Sequence, residues 1–244
     1  DIKSKLLLYR SKRIHPGLDH KQLTAWNSLF LKGLVDAYRT FNNNDFLDLA
    51  IGVADFIESK CCQNGRILHQ PPDHNRTIFG FLDDYAFTIE AFIALYEVTF
   101  DEIWIDKAKS YSDIALSLFY DHELSNFYYS SSEAEILIAR KSEVMDNVIP
   151  ASTSTIVRNL FKLGLLFDNN KYTKIADGIF ANIFPHIKSY GSAYSNWAIQ
   201  LLDLHFGVWE IAIAGDDGLK WRKELDHHYI PNKITLGGTK SKLP

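Results

Sequence analysis

Apolar residues return at helical intervals through most of this chain, and polar clusters interrupt them at regular distances. Leu23, Trp26, Leu29, Phe30, Leu34 and Ala37 form one such stripe and predict a helix over 24–41. The run Asn42-Asn43-Asn44-Asp45 stops it and caps a second helix over 46–60. After a loop holding Gly65, Pro71, Pro72 and Gly80, the next helix opens at Asp83 or Asp84 and runs through Ile89, Phe92, Ile93 and Tyr96 to Thr99. Asp101 opens a further helix over 102–119. Pro150 starts one that ends near Phe167, Asn169-Asn170 precede one that ends near His186, and the last, over 193–206, has no return helix.

The hairpins repeat. Tyr38, Phe46, Ala50 and Ala54 are matched by Tyr96, Trp104, Ala108 and Ser112, each 58 positions later, as 96 − 38 shows. Tyr172, Ala176 and Phe180 follow Trp104, Ala108 and Ser112 by 68, as 172 − 104 shows. Such a period marks stacked units that each need a neighbour to bury an apolar face. The ten additional positions fit an inserted β-hairpin built from 126–130 and 135–139. Past 206 the repeat stops. Residues 208–214 read as a buried strand, 215–218 as a turn, 219–228 as a helix and 233–236 as a second strand, which predicts a small parallel β-α-β unit. The chain divides accordingly into helical hairpins over 1–206 and a small C-terminal α/β appendage over 207–244, packed on the same domain.

Composition narrows the function. With a net charge of −4 among 244 residues, the chain lacks the clustered Lys and Arg that phosphate backbones require, so no nucleic-acid partner is expected. No apolar run approaches the ~20 residues of a membrane span, and the opening Asp1-Ile2-Lys3 is not a signal peptide, so no membrane partner is expected. The only cysteines, Cys61 and Cys62, are adjacent and unsuited to a framework of disulfides, which predicts a reduced, cytoplasmic chain. The nine histidines follow no metal-ligand spacing, and neither a metal nor a cofactor is expected.

In an arc of repeated hairpins the first helices all point the same way, so their N-termini gather at one mouth. That mouth receives Asp19, Lys21, Trp26 and Asn27 from the first hairpin, Asp83, Asp84 and Tyr85 from the second, Ser154 from the third, and Asn196 and Trp197 from the last helix. Asp83, Glu90 and Glu97 fall seven apart, nearly one line down a helix face. Carboxylates there supply a general acid or base, or else Asp83 and Asp84 simply cap the helix and meet its dipole. Glu97, a full helix away, reads as structural. Trp26 and Trp197 either stack on a sugar ring or fill the core, and Arg140 either clamps an anion or joins an ordinary ion pair.

Several of these segments resemble the C-terminal region of the YyaL-like family, which includes the spermatogenesis-associated thioredoxin-like proteins. The resemblance runs through Asp19, Lys21, Leu23-Thr24-Ala25-Trp26-Asn27, Gly80-Phe81-Leu82-Asp83-Asp84-Tyr85-Ala86, Leu95-Tyr96-Glu97-Val98-Thr99, Arg140-Lys141, Asp146, Ser154 and Asn159-Leu160. Departures fall at the mouth: His20 replaces a usual Asp, Ser28 a Gly, and Ala151-Ser152-Thr153 a Ser-Gly-Asn. The resemblance implies a mainly α fold, an (α/α)6 toroid similar to six-hairpin glycosidases and sugar epimerases, with a thioredoxin-like domain elsewhere in the same full-length protein as partner. Six hairpins of ~58 residues need roughly 350, so this chain is expected to form an incomplete toroid whose open apolar edge favours self-association.

Two functions follow. One is a carbohydrate-binding or carbohydrate-processing toroid, with Asp83 and Asp84 catalytic and Asp19, Lys21, Trp26, Asn27, Tyr85, Glu90, Arg140, Ser154 and Trp197 around a small sugar or sugar derivative. The other is a non-catalytic scaffold that partners the thioredoxin-like domain.

Overall fold

The computed structural model describes residues 1–73, 76–135 and 138–238. After a short N-terminal helix α1 (Ile2–Arg10), helices α2 (Thr24–Phe41) and α3 (Asn44–Lys60) make the first hairpin. A two-stranded ribbon, β1 (Cys62–Gln63) and β2 (Arg66–Ile67), leads to the second hairpin, α4 (Leu82–Thr99) and α5 (Glu102–Phe119). The ribbon β3 (Tyr120–Asp121) and β4 (Asn126–Phe127) precedes the third, α6 (Ser152–Leu166) and α7 (Asn170–Ser189). A 3-10 turn (Gly191–Tyr194) enters α8 (Ser195–Phe206), and the chain ends in β5 (Trp209–Ala214), α9 (Gly218–Asp226) and β6 (Lys233–Gly238).

Helices α2, α4, α6 and α8 form an inner row, each packed on the next, while α3, α5 and α7 lie outside their own partners. This layering explains the different sequences of the two rows. The outer helices carry one apolar stripe, whereas α4 is enclosed by α2, α5 and α6 and buries nearly every residue from Leu82 to Val98. The repeated positions are the seams. Ala50, Ala54, Ala108, Ser112 and Ala176 are fully buried, where a small side chain lets an outer helix approach its inner partner. Tyr38, Tyr96 and Tyr172 are buried beside them.

The tail forms the parallel pair expected from its pattern, with Trp209 opposite Lys233 and Ala214 opposite Gly238. The reading of 208–214 as a buried strand is corrected: β5 lies outermost, and Trp209 is 66% exposed. It is β6 that packs on α4 and α6, burying Ile234 and Thr235. Periodicity cannot tell which of two apolar strands faces the helices. Three other features differ from expectation. Helix α1 was not anticipated, because its leucines, all exposed, face no partner that would set a stripe. Helix α7 continues through Pro185 to Ser189. Of the second expected β-piece, 135–139, residues 136 and 137 lie outside the described residues, and their neighbours are not in a strand.

Candidate functional site

Carboxylates stitch the N-terminal ends of the inner helices together. Asp84, fully buried in the first turn of α4, reaches back to the Phe81 N–H at 2.9 Å and across to the Ala25 N–H of α2 at 3.0 Å. It also meets His69 Nδ1 at 2.9 Å. Asp146 does the same on the other side: it accepts from the Ala151 N–H at 2.9 Å and from the Asn196 N–H at 2.8 Å, tying α6 to α8. Glu143 takes the Ser152 N–H at 3.1 Å. Each carboxylate satisfies donors that a helix start leaves open, and it meets the positive end of the dipole. Burial pushes the Asp84 pKa up against these donors, while the bond to Asp84 raises that of His69.

Asp83 is placed differently. It accepts from the Asp84 N–H at 2.9 Å and from the Tyr129 hydroxyl at 3.2 Å, and it remains partly open to solvent. Burial, with the charge of Asp84 beside it, pushes its pKa up to about 7. A carboxyl held there is divided between acid and base at neutral pH. Phe81 stacks on Tyr129 with ring centroids 5.2 Å apart, and His69 meets the Phe81 ring edge-on at 5.1 Å, so aromatic rings hold both polar partners of the pair Asp83-Asp84.

Down the same face of α4, Glu90 and Glu97 line a cavity of about 540 Å³ that is closed on its sides by α2 and α6 and roofed by residues 227–231. From Asp83 to Glu90 is about 10 Å along the helix. Arg39 of α2 pairs with Glu97 at 2.9 Å, and Glu97 also accepts the Thr235 N–H at 3.2 Å. Burial disfavours the charged Glu97, yet Arg39 and Lys162 outweigh it and hold its pKa below the usual range. Lys162 is driven the other way: burial, reinforced by Arg158, lowers its pKa to about 8 against the pull of Glu97 and Glu90.

The other residues expected at the site are dispersed. Asp19 and Lys21 form an exposed ion pair at 3.1 Å along a surface groove shared with Pro71 and Pro72. Trp26 is 65% exposed. Asn27 donates to the Leu23 carbonyl at 2.8 Å and lines a shallow groove between α2 and α3. Tyr85 is buried, its hydroxyl accepting the Ile67 N–H at 3.2 Å. Arg140 donates to the carbonyls of Ser130 and Leu118 and covers the Tyr128 ring at 4.3 Å, and it forms no ion pair among the described residues. Ser154 is buried against Asp146 at 3.2 Å, and Trp197 is fully buried with its indole N–H on the Val144 carbonyl at 2.9 Å. Trp197 thus takes the core alternative, since neither face is open for stacking. Of the expected site residues, Glu90 lines the cavity, while Asp83 and Asp84 stand at the start of α4, the first half-open and the second buried.

His69, Tyr129, Arg39, Arg158 and Lys162 were not anticipated. Arg158 and Lys162 stand four apart on one helix face, which was a readable signal. His69 and Tyr129 come from loops, whose path no periodicity records. Among the described residues, no helix is long and apolar enough to cross a membrane.

No family model matches the chain. Its curated relatives include an uncharacterized protein of Caenorhabditis elegans, 27% identical over 215 residues that cover 85% of this chain and 29% of the relative. Another, spermatogenesis-associated protein 20 of Homo sapiens, is 25% identical over 247 residues, covering 95% of this chain and 31% of its own. The chain therefore spans about a third of the length of these relatives. Among solved structures, the GH76 alpha-mannanase of Bacteroides thetaiotaomicron matches with a TM-score of 0.61 at 17% identity, covering 89% of this chain and 58% of that one. Cellobiose 2-epimerase from Bacillus thermoamylovorans matches with a TM-score of 0.52 at 14% identity, covering 68% and 45%. At such identities the likeness establishes the fold, an incomplete (α/α)6 toroid, and the chemistry has to come from the residues.

Proposed function

For a homologue of spermatogenesis-associated protein 20 built as part of an (α/α)6 toroid, we propose a carbohydrate-binding or carbohydrate-processing role, with Asp83 as the acid/base group. The observation that carries this reading is the line of carboxylates on α4. Glu90 lines a cavity of about 540 Å³, a volume suited to a small ligand, and Asp83 stands two turns before it on α4, outside that lining, about 10 Å along the helix. A sugar offers many hydroxyls and needs acceptors such as Glu90, while proton transfer at a ring or glycosidic oxygen needs a group poised near neutrality, as Asp83 is. The mannanase and the epimerase that share the fold act on sugars by their names, which agrees with this reading. Asp84 serves as a positioning residue: it holds the start of α4, and hence Asp83, against α2 and His69.

A second reading rests on one specific observation. Trp26 and Phe30, one turn apart on α2, are 65% and 55% exposed, and Leu49 of α3 is also exposed. Such a patch suits a scaffold that packs on a thioredoxin-like domain of the same full-length protein.

A thermal-shift screen with neutral and charged monosaccharides and disaccharides separates the two. A sugar that raises the Tm of the wild type and not of Asp83→Asn supports the carbohydrate site. Absence of a shift from every sugar, with association to the thioredoxin-like domain lost in Trp26→Ser, sinks it in favour of the scaffold.

A further inference from the structure

We infer that the cavity between α2, α4 and α6 receives an anionic monosaccharide, its carboxylate or phosphate held by Arg158 and Lys162 of α6 and its hydroxyls by Glu90 of α4. This inference deepens, and rests on, the carbohydrate reading above. It stands on the inventory of charge inside the cavity. Most of the ions there already have partners: Arg39 is joined to Glu97 at 2.9 Å, Lys32 to Asp36 at 2.6 Å, and Lys233 to Asp226 at 3.3 Å. Two cations do not. Lys162 makes neither a hydrogen bond nor an ion pair among the described residues, and Arg158 reaches Asp203 only at 3.6 Å, with its buried Nε lacking a hydrogen-bond partner.

Both stand on the inner face of α6, four residues apart, so their heads reach the same region of the cavity. Two neighbouring cations with no carboxylate closer than Asp203 at 3.6 Å among the described residues repel one another, and partial burial removes the water that would screen them. Burial first, and the charge of Arg158 second, lower the pKa of Lys162 to about 8 against the pull of Glu97 and Glu90. A protein core would not keep such a pair for stability alone, because an apolar residue at Lys162 would relieve both the repulsion and the desolvation. A bound carboxylate or phosphate would supply the missing partner through charge-assisted hydrogen bonds, with a guanidinium and an ammonium on its oxygens. Across the cavity Glu90 forms no hydrogen bond or ion pair among the described residues, which leaves its carboxylate as an acceptor for hydroxyls. The ligand therefore has an anionic end towards α6 and a polyol end towards α4.

The test is calorimetric titration of the whole chain with glucuronate, glucose 6-phosphate, glucose and inorganic phosphate, on the wild type, Lys162→Met, Arg158→Gln and Asp83→Asn. At least one of the two anionic sugars should bind about tenfold more tightly than glucose, and the tighter of them identifies the anion as carboxylate or phosphate. Lys162→Met should erase that preference while glucose affinity stays within about twofold, and Arg158→Gln should weaken it similarly. Lys162→Met should also melt higher than the wild type without ligand; should it fail to fold, Lys162→Gln replaces it. Equal affinity for glucose and both anionic sugars, or a preference untouched by either α6 substitution, overturns the inference while leaving the carbohydrate reading intact. Inorganic phosphate binding as tightly as the sugar phosphate overturns it as a sugar site. If no sugar binds, neutral or charged, both readings fall.

Discussion

Asp83 and Asp84 are adjacent in sequence, yet their surroundings assign them different work. Asp84 is buried and accepts from two backbone N–H groups and His69, so its loss would leave donors of α2 and α4 unsatisfied. Asp84→Asn should lower stability by about 2–3 kcal/mol in denaturant titration, with any ligand effect following from the displaced helix start. Asp83 carries a smaller structural load and a perturbed acidity. Because its folded pKa, about 7, lies above the ordinary 3.8, the native state holds the proton more tightly than the unfolded chain. Wild-type stability should therefore fall as pH rises from about 4 to about 7, by on the order of 2 kcal/mol once solvent screening is allowed for. Asp83→Asn should flatten that slope and be the more stable protein at pH 8. Matching pH profiles for the two proteins would remove the basis for an acid/base role. The thiol of Cys62, by contrast, is pushed up to about 11 by burial and is poorly suited to redox exchange at neutral pH.

Among the elements, the inner helices depend on caps borrowed from outside themselves. Asp146 serves α6 and α8 together, so Asp146→Ala should cost about 2 kcal/mol and loosen both helix starts, seen as faster amide exchange at Ala151 and Asn196. At the opposite end, β6 is fastened to α4 by Thr235 on Glu97 and by the Gly237 N–H on the Tyr96 hydroxyl at 3.3 Å. Gly237 lies against the Phe100 ring, where a Cβ would collide. Gly237→Ala should consequently displace the tail and lower the Tm by several degrees in a melting experiment. Helix limits were legible because capping residues punctuate the periodicity: Thr24–Phe41 ends at Asn42, and Glu102–Phe119 begins after Asp101. The burial of the two tail strands was not, since Trp209 and Ile211 look as apolar as Ile234 and Leu236 until one strand is laid on α4.

For the molecule as a whole, α4 is the axis on which the other elements are assembled. Covered on three sides by helices and at its end by β6, it should hold the slowest-exchanging amides, with α1 among the fastest; comparable protection in the two would contradict this packing. Sequence alone was sufficient for the hairpins, their period, the seams at Ala50, Ala108 and Ala176, and the β-α-β tail. Each is a local or repeated property: amphipathic spacing, capping and small residues at fixed offsets mean the same thing wherever the helix later packs. It also singled out Asp83, Asp84 and Glu90, because a helix fixes which of its own residues share a face. Only the tertiary structure could separate the buried cap Asp84 from the half-open Asp83, send Trp197 inward and Trp26 outward, and set Lys162 beside Glu90 and Arg158, with no ion pair of its own among the described residues. Those distinctions depend on which charges and surfaces arrive from other helices and loops, and charge pairing and desolvation are set by distance in space, which separation along the chain does not encode.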